Sequence, residues 1–102
     1  MYKVIISDAA DADLDEIIGY IATVLANPQA AASLADKIAA CYDDLSRTPY
    51  MYGQCLNLRL QALGYRRVSI QNYIMVYRVD EASKTVYILR FFYGPSDYER
   101  LI

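Results

Sequence analysis

The chain has no histidine and no tryptophan, and only two cysteines, Cys41 and Cys55, among its 102 residues. Histidine is the side chain best suited to acid–base chemistry near neutral pH, so its absence excludes a Ser/His/Asp or Cys/His nucleophile system within this chain. The two cysteines, with no histidine beside them, are too few ligands for a tetrahedral zinc site. We therefore expect neither a metal nor a cofactor.

Long apolar runs are also missing, since no segment approaches the ~20 residues of a membrane-spanning helix. Lys3 and the acids from Asp8 onward interrupt any apolar run at the start. We therefore expect no signal peptide, no membrane partner and a cytoplasmic location. Apolar residues still make up 56% of the sequence, which suggests that a single domain spanning 1–102 leaves some apolar surface for another chain.

Charge is divided unevenly along the sequence. Residues 1–50 carry eight acids and three bases, a net charge of −5, whereas residues 51–102 carry seven bases and four acids, a net charge of +3. The total of −2 therefore conceals a basic second half, whose field can concentrate phosphates. A solvated surface without a partner explains the charges equally well.

The first half predicts a strand and two helices. Tyr2 to Ile6 has strand character, and Ser7 can cap a helix in which apolar residues recur at helical spacing from Ala10 to Leu25. Asn27-Pro28 is typical of a helix start, and a second amphipathic helix ends near Pro49. The short link between them indicates an antiparallel helical hairpin.

The second half predicts three strands joined by tight turns. Residues 49–58 have no clean period and are interpreted as a loop, and Leu58 to Leu63 alternates only weakly. Strands follow at 65–70, 73–79 and 85–93, and residues 96–101 can form a short terminal helix. The order β-α-α-β-β-β predicts an α+β fold, in which an antiparallel sheet packs against the N-terminal hairpin and its other face is partly open.

Several short motifs accompany this order of elements: Tyr20-Ile21, Asn27-Pro28 with Ala30-Ala31, Leu45 before Pro49, Asn72 to Tyr77, Val86 to Arg90, and Tyr93-Gly94. Together with the order of the elements, they resemble the RelE/ParE superfamily of toxins from type II toxin–antitoxin modules. The resemblance extends over essentially the whole chain. It implies a growth inhibitor that a cognate antitoxin neutralises, either as a homodimer or in a toxin–antitoxin hetero-oligomer.

The superfamily implies two targets. RelE-like members cut mRNA on the ribosome, which requires a base for the 2′-hydroxyl and positive groups for the phosphate. By resemblance, Arg67 is the strand arginine beside the scissile phosphate, Tyr93 stands at the end of the last strand, and Arg90 assists in catalysis, with Arg66 binding RNA. ParE-like members instead poison DNA gyrase and need no base.

Each candidate also has an ordinary structural interpretation. Arg67 shares a strand face with Tyr65 and Ser69 and could simply be solvated. Simple alternation places Arg90 in phase with Val86, Ile88 and Phe92, where it could pair with an acid of the helices. The same alternation places Tyr93 with Tyr87, Leu89 and Phe91, in a stripe typical of packing.

The functional hypothesis leans towards ribosome-dependent mRNA cleavage, because Arg67 and Tyr93 are present. The alternatives are gyrase poisoning without enzymatic activity, and a degenerate member that only binds antitoxin. No residue stands out as a general base, although a tyrosine beside arginines can have its pKa lowered. Neither a nucleotide-binding loop nor a nucleophile elbow is present, so we do not expect a metabolic enzyme.

Overall fold

The computed structural model describes residues 1–94, 96 and 98–102. Its elements are strand β1 (Lys3–Ile6), helix α1 (Asp8–Gly19), a π-helical turn (Tyr20–Val24), helix α2 (Pro28–Arg47), helix α3 (Leu58–Ala62), strands β2 (Tyr65–Ile70), β3 (Tyr73–Asp80) and β4 (Thr85–Tyr93), and helix α4 (Tyr98–Leu101). The predicted α+β class and terminal helix are confirmed. The predicted end of the last strand at Gly94-Pro95 lies partly outside the described residues, which omit Pro95 and Asp97.

Among the helices described, none combines the length and the apolar character that crossing a membrane requires.

The strands form one sheet in the order β1-β4-β3-β2. Strands β2, β3 and β4 pair antiparallel, as their short links predicted. Strand β1 joins in parallel, with Lys3 opposite Thr85 and Ile6 opposite Ile88, so the sheet is mixed. A parallel pair needs a long connection, and here the helices and the other strands lie between the two partners in sequence.

Both long helices begin at capping side chains that the sequence indicated. The Ser7 hydroxyl accepts a hydrogen bond from the Ala10 N–H at 3.0 Å, and the Asn27 side chain accepts one from the Ala30 N–H at 3.1 Å. Pro28 occupies the first turn of α2, where its missing N–H is not needed. These caps satisfy donors that the helix itself leaves unpaired.

The helical hairpin packs on one side of the sheet, which we call the helix-side face. Helix α2 contributes a buried stripe of Ala31, Leu34, Ile38, Cys41 and Leu45. The sheet contributes Val68, Ile70, Met75, Tyr77, Val86, Ile88 and Phe91. The buried Tyr77 hydroxyl donates to the Pro49 carbonyl at 2.9 Å, and burial raises the pKa of Tyr77 to about 12. This tyrosine therefore stays neutral as a core residue.

A second, smaller core lies on the opposite, tail-side face. Its buried members are Cys55, Leu60, Ile74, Val76, Phe92 and Tyr98. Leu60 comes from α3, in a stretch that the sequence indicated only as weakly alternating. Asn57 starts this helix, because its side chain accepts hydrogen bonds from the Arg59 and Leu60 N–H groups at 2.9 and 3.2 Å.

Strand β4 does not follow simple alternation. Val76 pairs with Arg90 but its neighbour Tyr77 pairs with Ile88, so Leu89 is an extra residue in a β-bulge. The bulge places Arg90 with Phe92 on the tail-side face, opposite to Ile88. The prediction that Arg90 shares a face with Ile88 is therefore wrong, and so is the prediction that Tyr93 shares a face with Leu89. Tyr93 does lie on the helix-side face with Phe91, as predicted.

Candidate functional site

The sheet register divides the four candidate residues between its two faces. Arg67 is opposite Val76 and Val76 is opposite Arg90, so both arginines lie on the tail-side face. Two strand spacings place their backbones roughly 10 Å apart. Arg66 pairs with Tyr77, and Tyr93 pairs with Tyr73, which assigns both to the helix-side face. The four predicted residues do not converge on one point.

Arg90 is held by an acid of helix α1. Its Nε and Nη2 donate to the two carboxylate oxygens of Asp13 at 2.7 and 3.0 Å, and the Phe91 N–H donates to the same carboxylate at 3.1 Å. The Arg90 and Asp13 side chains are 36% and 17% exposed. These hydrogen bonds raise the pKa of the Arg90 guanidinium further. The interpretation of Arg90 as the partner of a helix acid is confirmed.

Arg67 lies against the C-terminal helix. Its guanidinium is 5.3 Å from the centre of the Tyr98 ring, and its nitrogens lie 3.3 Å from the Tyr98 hydroxyl and 3.4 Å from the Ser69 hydroxyl. Both hydroxyls are neutral and both contacts are long for hydrogen bonds. Burial raises the pKa of Tyr98 although Arg67 acts in the opposite direction. Tyr98 is therefore not activated as a base by its arginine neighbour.

Between the two arginines the tail-side face is apolar. Val76 is completely buried there, and Phe92 packs against Tyr98 with ring centres 6.0 Å apart. The Arg90 guanidinium lies 5.2 Å from the centre of the Phe92 ring. The space between Arg67 and Arg90 is thus occupied by side chains of the second core.

Arg66 and Tyr93 have separate surroundings. Arg66 donates to the Tyr52 carbonyl at 2.7 Å and lies over the Tyr50 ring at 4.9 Å, so it supports the segment that follows α2. Tyr93 is 52% exposed and meets Tyr73 edge to face at 5.7 Å. Among the described residues, no hydrogen bond, ion pair or ring contact joins the side chain of Arg66 or Tyr93 to that of Arg67 or Arg90, although Tyr93 and Arg90 line the same groove between α1 and the end of β4.

The remaining reactive side chains do not suggest a nucleophile. Burial raises the pKa of both Cys41 and Cys55, which keeps the thiols protonated at neutral pH. Within residues 1–94, 96 and 98–102, no three His, Cys, Asp or Glu side chains are grouped so that they could hold a metal ion.

Two residues of this region were missed by sequence reasoning. Asp13 follows Ala10 by three and precedes Ile17 by four, so it falls on the apolar stripe of α1, and an acid there signals a partner. Tyr98 belongs to the short tail, where no periodicity indicated burial. Its contact with Arg67 joins positions 31 residues apart and has no local signature.

Comparison with solved structures gives the same fold. The chain superimposes on a chain of the toxin–antitoxin complex RelBE2 from Mycobacterium tuberculosis with a TM-score of 0.63, at 27% identity over 90% of this chain and 96% of that one. It also matches a chain of the chromosomal ParDE system from P. aeruginosa, with a TM-score of 0.71 and 23% identity over 91% and 96% of the two chains. A search among curated proteins found no match.

The fold is therefore that of the small α+β proteins found in toxin–antitoxin complexes. A family profile described as the ParE toxin of the type II toxin–antitoxin system parDE matches residues 4–98. The chain belongs to this family, which confirms the resemblance drawn from its sequence.

Proposed function

We propose that this toxin is neutralised by a separate antitoxin protein and that it inhibits growth by binding DNA gyrase, without enzymatic chemistry of its own. Membership of the ParE toxin family and the fold shared with chains of toxin–antitoxin complexes support the first part. The arrangement of the arginines supports the second. Both the target and the antitoxin act in the cytoplasm on this proposal.

The observation that carries the proposal is that Arg90 is already paired with an acid and that apolar side chains separate it from Arg67. Arg90 forms a bidentate pair with Asp13, and the surface between Arg90 and Arg67 is packed with Val76 and Phe92. A scissile phosphate needs guanidinium groups that are available and that converge on it. A bound phosphate would have to displace the Asp13 carboxylate and open the second core.

The lack of a base points in the same direction. Cleavage through a 2′-hydroxyl requires a group that removes its proton. Tyr98 is the tyrosine beside Arg67 and has a raised pKa, while Tyr93 lies on the helix-side face, where it lines a groove with the paired Arg90 but not with Arg67. A protein that acts only by binding needs no such group.

The test compares both targets with the same preparations. Wild-type chain, Arg67→Ala and Arg78→Ala are each added to a gyrase supercoiling reaction and to a reconstituted translation reaction with primer extension of the messenger. Arg78 shares the tail-side face with Arg67 but stacks on Tyr87 at 4.4 Å, and it serves as the control for loss of any arginine from this face. We expect all three to trap gyrase on cleaved DNA and none to produce new messenger 5′ ends. Codon-phased cuts that Arg67→Ala alone abolishes would overturn the proposal.

Ribosome-dependent mRNA cleavage is the second candidate, and the contacts of Arg67 favour it. Its partners are two neutral hydroxyls at 3.3 and 3.4 Å, and a phosphate makes shorter and stronger charge-assisted bonds. In this reading Arg67 and Arg90 hold the phosphate, Tyr93 takes part in proton transfer and Arg66 binds RNA. A chain inactive in both reactions would instead be a degenerate member that retains only antitoxin binding.

A further inference from the structure

Three exposed leucines lie on and beside the short helix α3. Leu56, Leu58 and Leu63 are 81%, 78% and 51% exposed. A single exposed apolar residue is normal at a protein surface, whereas several that lie together mark an interaction site. Arg59 and Ala62 are exposed between them. We call the surface formed by Leu56, Leu58, Arg59, Ala62 and Leu63 the α3 patch.

The geometry of α3 brings these side chains together. Residues three and four positions apart lie on the same side of a helix. Leu58 is therefore beside Ala62, and Arg59 is beside both Ala62 and the C-terminal residue Leu63. Leu60 faces the opposite way and is completely buried in the second core. The helix thus uses one leucine as an anchor and presents its outer side to solvent.

Backbone hydrogen bonds fix the patch at both ends. Before the helix, the Cys55 N–H donates to the Tyr65 carbonyl at 3.0 Å, which ties this segment to the edge of β2. After the helix, Gly64 has a φ of 78°, in the left-handed region that favours glycine, and its N–H donates to the Gln61 carbonyl at 2.9 Å. The exposed side chains are therefore held in one arrangement before any partner binds, which lowers the entropic cost of binding.

The charge around the α3 patch has one sign. Between Asp44 and Asp80 the sequence contains no acidic residue, but it contains Arg47, Arg59, Arg66, Arg67 and Arg78. Arg59 lies within the patch, where it donates to the Glu99 backbone carbonyl at 2.8 Å and forms no ion pair within the described part of the chain. A partner that carries acidic side chains is therefore favoured at this surface.

These features distinguish between three kinds of partner. In a two-fold symmetric dimer the same patch faces itself, so two Arg59 side chains would meet with no acid of the patch between them. Nucleic acid is held mainly through its phosphates by basic and polar side chains, and three exposed leucines do not suit that contact. A different protein, with an apolar site bordered by acids, matches both the leucines and the arginine.

We propose that the α3 patch is the surface with which this toxin binds gyrase, at an apolar site bordered by acidic side chains. Leu58 and Leu63 are buried in that site, and Arg59 pairs with an acid at its border. The inference rests on the proposed function, because it assigns the contact surface for the target named there. Arg67 and Arg78 lie outside the patch, so it is consistent that their alanine variants should still trap gyrase.

The apolar part of the contact is tested with one matched pair of variants. Leu58→Asp and Val24→Asp both place a charge at an exposed apolar position, but Val24 belongs to the π-helical turn, outside the patch. Each full-length variant is titrated into gyrase and DNA, and the cleaved DNA is measured. We expect Leu58→Asp to require at least about tenfold more protein than the wild type, as for loss of a central interface contact, and Val24→Asp to match the wild type. Thermal unfolding of both variants verifies that they are folded.

The charged part is tested with a second pair. Arg59→Glu and Lys37→Glu make the same change of charge, and Lys37 is an exposed residue of α2. We expect Arg59→Glu to weaken gyrase binding about fivefold or more and Lys37→Glu to weaken it much less. Because Arg59→Glu also removes the bond to the Glu99 carbonyl, binding is measured again at high salt. An effect of charge shrinks there, whereas an effect of lost structure does not.

The outcomes separate this inference from the proposed function. A wild-type chain that neither binds nor traps gyrase would count against the proposed function, and the inference would fail with it. A wild-type chain that traps gyrase, with equal trapping by Leu58→Asp and Val24→Asp, would overturn the inference alone. Binding to duplex DNA without gyrase that Arg59→Glu abolishes, while gyrase binding persists, would assign the patch to DNA. A concentration-dependent dimer that Leu58→Asp dissociates would assign it to a second copy of this chain.

Discussion

The two faces of the sheet are built differently, although both bury apolar side chains. The helix-side face is packed by two capped helices, one of them 20 residues long, and its core includes fully buried Leu34, Leu45 and Tyr77. The tail-side face is packed by α3 and α4, of five and four residues. Short helices have little stability of their own, so the second core depends on its few side-chain contacts. The candidate residue Arg67 lies on this face, which we expect to be the less stable of the two.

The largest difference between the faces should appear when a buried leucine is shortened. Leu34 and Leu60 are both fully buried, one in each core. We expect Leu34→Ala to lower the free energy of unfolding by about 3–5 kcal/mol and Leu60→Ala by about 2–3 kcal/mol, because the short helix α3 can relax around its cavity. Urea denaturation of both variants provides the measurement. An equal or larger loss for Leu60→Ala would show that the two cores are equally rigid.

The contact between Asp13 and Arg90 joins the two faces at the edge of β4. Asp13→Asn keeps the shape but removes the charge that Arg90 faces, while the amide oxygen can still accept from the Phe91 N–H. We expect a loss of about 1–2 kcal/mol in the free energy of unfolding, limited by the partial exposure of Arg90 to water. Asp15→Asn, at an exposed position of the same helix, should cost much less. Similar losses for the two variants would mean that the ion pair contributes little.

A smaller effect is expected from the hydroxyl of Tyr98. Tyr98→Phe keeps the ring that packs on Phe92 but removes the hydrogen bond with Arg67. We expect a loss of about 0.5–1 kcal/mol, the usual net contribution of one such bond. Tyr93→Phe, at a half-exposed site, is the control and should leave the thermal midpoint nearly unchanged. If Tyr98→Phe behaves like this control, Arg67 is not anchored by the tail.

The smallest effect concerns Glu81, which is exposed beside the turn before β4. Hydrogen bonds from Lys84, Tyr50 and Tyr2 lower the pKa of Glu81 to about 2 from its usual 4.5. A carboxyl whose pKa is lower in the folded state stabilises the fold above its unfolded pKa, and loses that contribution as the pH falls towards the folded value. Wild-type stability should therefore decline more steeply than that of Glu81→Gln between pH 4.5 and 2, in parallel unfolding series. Equal slopes would assign the decline to other acids.

Sequence reasoning was most reliable for elements with long periodic patterns. The two long helices and strands β2 to β4 were predicted close to their observed bounds, because the apolar spacing extends over many residues. Helix α3 was not predicted, since five residues cannot display a period, and Asn57 was its only local signal. The bulge at Leu89 was also missed, because an apolar residue suits either face of a strand.

The candidate site was predictable only in part, for a related reason. The sequence identified the basic strands, and it suggested that an acid of the helices is the partner of Arg90. It did not identify Asp13 as that acid. The Arg90–Asp13 pair spans 77 positions, and the parallel pairing of β1 with β4 links residues that are even further apart in the sequence. Such contacts depend on how whole elements pack, which local patterns do not encode.

The pairing of β1 with β4 also determines when the toxin can complete its fold. Lys3–Ile6 must wait for Thr85 to Ile88 to be synthesised, which at about 5–20 residues per second takes roughly 4–16 seconds. During that interval the helical hairpin has no finished sheet to cover, and its apolar stripe is exposed. The sheet can therefore close only after Thr85 to Ile88 have been made, and until then the exposed stripe leaves the nascent chain prone to aggregation.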